Sequence, residues 1–210
     1  LDFTTAAARR AACEAEVRLN ARLAPGVYRG VVPVGVDDAG HPVLGVPEAR
    51  AVDWAVEMVR LDPADRADVR LRDGDLGVAD VVRIAERLAV FHAAAERGPG
   101  VAKHGAPAAV AANVRENFAQ TRGAIERFVS GAEAREIEAW QLAFLERERG
   151  RFQARIAGDR IRDGHGDLRL EHVYLDTGLA GEEDVTVIDC IEFNDRFRRG
   201  DVCADLAFLS

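Results

Sequence analysis

Asp167 and Asp189 are the residues whose types and spacing best suit chemistry. Asp167 lies in Asp163-Gly164-His165-Gly166-Asp167-Leu168-Arg169-Leu170-Glu171-His172, a polar, glycine-flanked loop. Asp189 ends the run Val185-Thr186-Val187-Ile188, which reads as a buried strand. A carboxylate just past a buried strand is held rigidly at the edge of a site. Two such carboxylates on neighbouring loops can bind a divalent cation, or divide into a base and a metal ligand. Taken alone, a glycine-flanked Asp such as Asp167 is more often a turn former.

The elements that must hold this pair follow from hydrophobic period and punctuation. Residues 4 to 24 read as a helix, capped by Thr4 or Thr5 and stopped by Pro25-Gly26. A strand is expected over 28–36, a turn at Asp37-Asp38-Ala39-Gly40, and a return strand over 42–46. Val52, Trp54, Val56 and Met58 alternate with Asp53, Ala55, Glu57 and Val59, so 51–61 is a third strand, broken by Asp62-Pro63. From there the period turns helical. Helices are expected over 78–97, 108–128 and 132–156, with Gly98-Pro99-Gly100 and Gly131 as breaks. Short strands follow at 173–175 and 185–188, joined by a loop through Gly178 and Gly181. Strands first and helices second predict an α+β fold of two parts, 1–61 and 62–210.

Composition narrows the function classes. The 36 acidic residues outnumber the 28 basic ones, for a formal charge of -8, and this argues against nonspecific nucleic-acid binding. No apolar run is long enough to span a membrane, and Asp2, Arg9, Arg10 and Glu14 make the N-terminus unlike a signal peptide. Cys13, Cys190 and Cys203 are odd in number and lack ligand spacing, so free thiols in a reducing cytoplasm are expected. The chain opens on Leu1 and closes on Asp205-Leu206-Ala207-Phe208-Leu209-Ser210, a helix just begun, so a fragment of a longer protein is expected.

His165-Gly166-Asp167-Leu168, then Val173-Tyr174-Leu175, then Ile188-Asp189, resembles the catalytic segment of the aminoglycoside phosphotransferase-like kinases. The resemblance is specific over 163–210 and rests only on element order before that. It implies a bilobal protein-kinase-like fold, here with an incomplete N-lobe and truncated C-terminal helices. It implies transfer of the ATP γ-phosphate to a hydroxyl of a small molecule, such as a sugar or aminoglycoside-like compound. Asp167 would be the base that orients or deprotonates that hydroxyl, and Asp189 would chelate Mg²⁺. His172 stands where the family has Asn, which puts a second metal ligand in doubt. Arg169 would contact phosphate or Asp167, or be a solvated surface Arg. Glu16, with Glu14 as its rival, would stand on the helix whose Glu pairs a phosphate-binding Lys. Met58 and Arg60 would border the adenine at the hinge. His165 would prop the loop, His92 would be a satisfied core histidine, and Asp205 would brace the catalytic loop.

Asp189-Cys190-Ile191-Glu192-Phe193-Asn194-Asp195 is similar to a subgroup in which the kinase-like domain precedes a P-loop ATPase-like domain, which implies such a C-terminally fused partner. The phosphate-binding lysine is missing, since Lys103 is the one lysine of the chain, and no Walker A or Gly-x-Gly-x-x-Gly pattern occurs. Two rivals stand beside the kinase: a regulatory pseudokinase serving the attached ATPase domain, and a metal-dependent phosphohydrolase using His165, Asp167, His172 and Asp189.

Overall fold

The structure is a computed structural model that describes residues 3–179 and 184–209. Gly181 of the expected loop and the terminal residues Leu1, Asp2 and Ser210 lie outside the described residues. The fold is α+β, with nine helices and small antiparallel sheets among the described residues. None of these helices is long and apolar enough to cross a membrane.

The chain divides into two compact units. The first takes the stretch up to Ala94, then His165–Arg198 and the stretch from Cys203; the second takes Ala95–Gly164 and Arg199–Val202.

The first unit opens with α1, Ala6–Asn20, capped by the Thr5 side chain, which accepts from the Ala8 amide at 3.1 Å. The helix stops short of Pro25-Gly26 because Leu23 and Ala24 already turn back onto the Asn20 carbonyl. Three antiparallel strands follow: β1 (Tyr28–Val36), β2 (Pro42–Leu44) and β3 (Asp53–Met58), in the order β2-β1-β3. Val34 faces Leu44 on one side and Asp53 on the other. Arg9 pairs with Asp53 at 2.6 Å and Arg10 lies over the Trp54 ring at 4.3 Å, so α1 is tied to β3 along its length.

Asp62-Pro63 does not end structure, as a breaker would. Asp62 caps a 3-10 turn with Pro63 at its first position, and α2, Ala67–Asp73, follows, closed by Gly74 at φ 84°. In α3, Val78–Ala94, the buried residues Ile84, Leu88 and Phe91 fall at i, i+4 and i+7. They pack with Leu23, Ala67 and Leu168, and with Val173 and Leu175 of β5 (Val173–Leu175) and Val185 and Val187 of β6 (Val185–Val187). This β5–β6 ladder sets Val173 opposite Val187, and all six of these β5–β6 and Leu168–Ala67 positions are sealed from solvent. Fully buring the larger of these side chains is worth about 1.5–3 kcal/mol each.

The second unit is mostly helical. The expected loop over 100–107 contains a short helix, α4, Pro99–Ala102, and a 3-10 turn, Lys103–Gly105. Next come α5, Pro107–Ile125, and α6, Gly131–Arg147, which starts on a capping box between Ser130 and Glu133. The single helix expected over 132–156 is two. Glu148, at φ -93° and ψ 12°, leaves helical geometry, and α7 resumes at Arg149–Ala157. The remaining strands of this unit are β4, Ile161–Asp163, and β7, Arg199–Asp201, paired antiparallel. The short helices α8, Asp195–Arg198, and α9, Val202–Ala207, flank β7 in the chain. No disulfide joins Cys13, Cys190 or Cys203.

Candidate functional site

The β5–β6 ladder aims two loops at one place. Leu168 is fully buried in the core, which fixes the backbone of its neighbour Asp167 while the Asp167 side chain stays partly exposed. Beyond β6 the chain reaches Asp189, whose carboxylate is 70% exposed and whose backbone is left-handed at φ 66°. That conformation is uncommon for a residue with a Cβ and is best tolerated by Asn and Asp. It turns the Asp189 carboxylate off the strand line.

Three bonds stitch the loops together. The Ile188 amide donates to the His172 carbonyl at 3.0 Å, and the Ile191 amide donates to the His165 carbonyl at 3.1 Å. The His165 ring closes the third, from Nε2 to the Ile188 carbonyl at 2.9 Å. A carbonyl only accepts, so Nε2 carries the proton, and Nδ1 is left to accept from the Asp167 amide at 3.3 Å. Both nitrogens of His165 are therefore engaged in holding the loop. Burial pushes its pKa down, against the pull of Asp205 and the Ile188 carbonyl.

Asp205 is the brace beneath. It is 4% exposed and accepts from the His165 amide at 3.0 Å, the Gly166 amide at 2.8 Å and His92 Nε2 at 2.9 Å. Burial pushes its pKa up, but the bonds from His92 and the two amides outweigh this and leave it below the ordinary value. Gly166 lets the loop pass. Its φ is 90°, and a Cβ there would stand 2.8 Å from the Phe197 carbonyl oxygen.

Together these constraints bring Asp167, His172 and Asp189 to one point, with a ligating atom of each within 4.8 Å of the others. His172 Nδ1 donates to the Asp167 carbonyl at 2.8 Å, and its Nε2 faces the Asp189 carboxylate at 3.2 Å. One imidazole nitrogen and two carboxylates in this arrangement could hold a divalent cation.

Glu16 flanks the same place. Burial first, then the charges of Glu192 and Asp189, push its pKa up. The Tyr28 phenol, raised chiefly by burial, is also influenced by Asp189 and Glu16. Met58 is the register partner of Tyr28 at the end of β3, and Arg60 lies exposed two residues on. Neither has a recorded bond to the Asp167–His172–Asp189 group. Arg169 is an exposed side chain ion-paired to Glu171. Lys103 lies in the second unit.

Asn20, which sequence reasoning passed over, joins α1 to this site. It is 1% exposed, accepts from the Cys190 amide at 2.9 Å and donates to the Glu16 carbonyl at 3.0 Å. Arg22 Nη2 stands 3.2 Å from Cys190 Sγ. The one signal in the sequence was an Asn at the end of an amphipathic helix, four residues after Glu16, and that is also an ordinary helix end. The second unit holds a cavity of about 300 Å³ lined by Phe118, Arg122, Glu126, Arg135 and Glu138 among others, and none of the candidate residues lines it.

No family model matches the chain. It is 34% identical over 212 residues to Uncharacterized protein Mb2027c of Mycobacterium bovis, covering 100% of this chain and 39% of that protein. Uncharacterized protein Rv2004c of Mycobacterium tuberculosis matches with the same identity and coverage. The chain thus spans 39% of the length of these curated relatives. No solved structure matches.

Proposed function

We propose that this chain carries the catalytic loop and metal-binding hairpin of an ATP-dependent phosphotransferase with a bilobal protein-kinase-like fold, acting on a hydroxyl of a small molecule. The observation that carries this reading is the convergence of Asp167, His172 and Asp189 on two loops stitched to each other and braced from below by Asp205. Phosphoryl transfer is catalysed mainly by positioning and charge neutralisation, and such a brace supplies positioning.

Asp167 accepts or orients the proton of the acceptor hydroxyl. Its backbone amide is held on His165 Nδ1, so the carboxylate is presented from a fixed loop. Asp189 and His172 are the residues that would hold a divalent cation, and that cation, when bound, neutralises charge on the ATP phosphates. Glu16 lies on the nucleotide side, with Met58 and Arg60 as the adenine border. A sugar or amino sugar is the acceptor class the reading implies, a cytoplasmic location agrees with the free cysteines, and a P-loop domain fused after this one is the expected partner.

A second reading is a regulatory pseudokinase. It is favoured by His172 in place of Asn and by the company Glu16 keeps, which is acidic. The phosphohydrolase is disfavoured because both ring nitrogens of His165 are engaged within the fold.

Calorimetric titration of the chain with ATP and a divalent cation, together with transfer from labelled ATP to a panel of sugars and amino sugars, tests this. The expected result is cation-dependent ATP binding that Asp189→Ala abolishes, and transfer that Asp167→Asn abolishes while binding persists. ATP binding without transfer selects the pseudokinase. ATP binding indifferent to Asp189→Ala overturns the metal assignment.

A further inference from the structure

We propose that His172 makes this centre a transition-metal site that takes Mn²⁺ in preference to Mg²⁺, with the imidazole Nε2 bound directly to the ion beside Asp189. The inference rests on the metal assignment above and not on the transfer step.

The tautomer is the first argument. His172 Nδ1 is committed to the Asp167 carbonyl at 2.8 Å, which directs Nε2 toward Asp189 and leaves it as the nitrogen that can bind an ion. An imidazole whose far nitrogen is anchored on a carbonyl is the usual arrangement of a metal-binding histidine, because the anchor fixes the ring and raises its basicity. Here the anchor is the backbone of a second member of the same group, so the position of His172 and that of Asp167 are set by one bond.

Spacing is the second. Nε2 and Asp189 Oδ2 stand 3.2 Å apart. Two donors each about 2.1 Å from one ion are about 3.0 Å apart at a right angle and about 3.4 Å apart at a tetrahedral angle. The observed separation falls between these, so the pair can share an ion with little rearrangement.

The donor set is the third. Mg²⁺ favours all-oxygen surroundings and gives up its waters reluctantly. Carboxylates suit Mg²⁺ and Mn²⁺ alike, whereas an imidazole nitrogen is a ligand of the transition series, of which Mn²⁺ is the member best served by oxygen donors. The neighbouring carboxylates Glu16 and Glu192 add negative charge without selecting between the two ions. His172, with its side chain 12% exposed, is shielded from solvent while Asp189 is open to it. The ion would therefore have a fixed nitrogen on one side and an accessible face on the other.

The experiment is a titration of the full chain, free of nucleotide, with Mn²⁺ followed by the electron paramagnetic resonance of the free aquo ion. Mg²⁺ is then added as competitor, and the bound Mn²⁺ is examined for ¹⁴N coupling by electron spin-echo modulation. The expected results are ¹⁴N coupling in the wild type and Mn²⁺ held at least about 10-fold more tightly than Mg²⁺. His172→Asn is expected to lose the coupling and the preference while still binding either ion weakly. Equal affinities, or bound Mn²⁺ without ¹⁴N coupling, overturn the inference from the wild type alone. No cation binding at all overturns it too, and reduces His172 and Asp189 to an ion pair. Phosphotransfer with Mg²⁺ and no Mn²⁺ preference ends this inference and leaves the kinase reading standing. Mn²⁺ binding with ¹⁴N coupling but no ATP binding supports this inference and counts against the kinase reading.

Discussion

Asp163 and Asp205 are both buried carboxylates, 3% and 4% exposed, one in each compact unit. Asp163, on β4 of the second unit, accepts from Arg199 Nε at 2.9 Å across the β4–β7 pair. Around it the pattern repeats: Arg155 pairs with Asp201, and Arg162 with Asp159. Asp205, on α9 of the first unit, accepts from two consecutive backbone amides, those of His165 and Gly166. A carboxylate matched to a guanidinium fixes a strand pair. A carboxylate that grips two successive amides fixes the path of the loop that bears Asp167. The same residue type at the same burial is structural in one unit and, through the loop it shapes, a positioning residue in the other.

The sharpest way to break this comparison is to remove both carboxylates separately. Asp205→Ala takes the acceptor from the His165 and Gly166 amides and from His92, Asp163→Ala takes a partner from the part-buried Arg199, and each should cost about 1–3 kcal/mol of stability in urea denaturation. Only Asp205→Ala should also lower divalent-cation affinity in the protein that remains folded. If Asp163→Ala lowers it as much, the distinction drawn here fails.

Gly166→Ala probes the loop path itself. The left-handed φ and the 2.8 Å approach to the Phe197 carbonyl predict a loss of about 2–4 kcal/mol. Cation affinity should fall with it, because Asp167 moves. Asn20→Ala comes next. Losing the acceptor of the buried Cys190 amide should cost about 1–3 kcal/mol by denaturation, and cation binding should weaken as the Asp189 loop loosens.

The pH response follows from two depressed pKa values. Burial holds His165 below its ordinary 6.5, so the unfolded chain protonates first. Its contribution is complete above pH 6.5 and is lost as the pH falls from there toward its folded value. Asp205 behaves likewise lower down, with its contribution present above its ordinary 3.8 and lost as the pH falls through its folded value. Denaturation midpoints should thus decline between pH 7 and pH 5 in the wild type and decline less in His165→Gln. Arg169→Ala should have the smallest effect. Its exposed pair with Glu171 predicts a stability change below about 1 kcal/mol, so a large drop in transfer rate at unchanged stability would mark it as catalytic.

Much of the first unit was legible because its signals are local. Alternation over 28–36 and the Asp37–Gly40 turn mark β1 and β2, and Val185, Thr186 and Val187 mark β6 by their β-branching. The approach of Asp167 to Asp189 could be anticipated because one short hairpin separates them. The α2 signals were also present, with Asp62-Pro63 as a start and Gly74 as a stop, but a proline invites the reading of a break. Other features had no local signal. β4 and β7 are three residues each, rich in charge and without a readable period. The break at Glu148 interrupts a run of good helix formers. Asn20 meets the Cys190 amide across 170 positions, and no spacing rule reaches that far.

That long reach bears on how the protein is made. A nascent chain that has emerged only through Cys190 carries Asp167 and Asp189 but lacks the Asp205 that grips His165 and Gly166. Asn20, made early on α1, meets its partner only when Cys190 has been made. Closing so distant a contact late is a slow step in folding. An early-released or prematurely terminated chain would thus bear both acidic residues and lack the brace beneath the loop that carries Asp167.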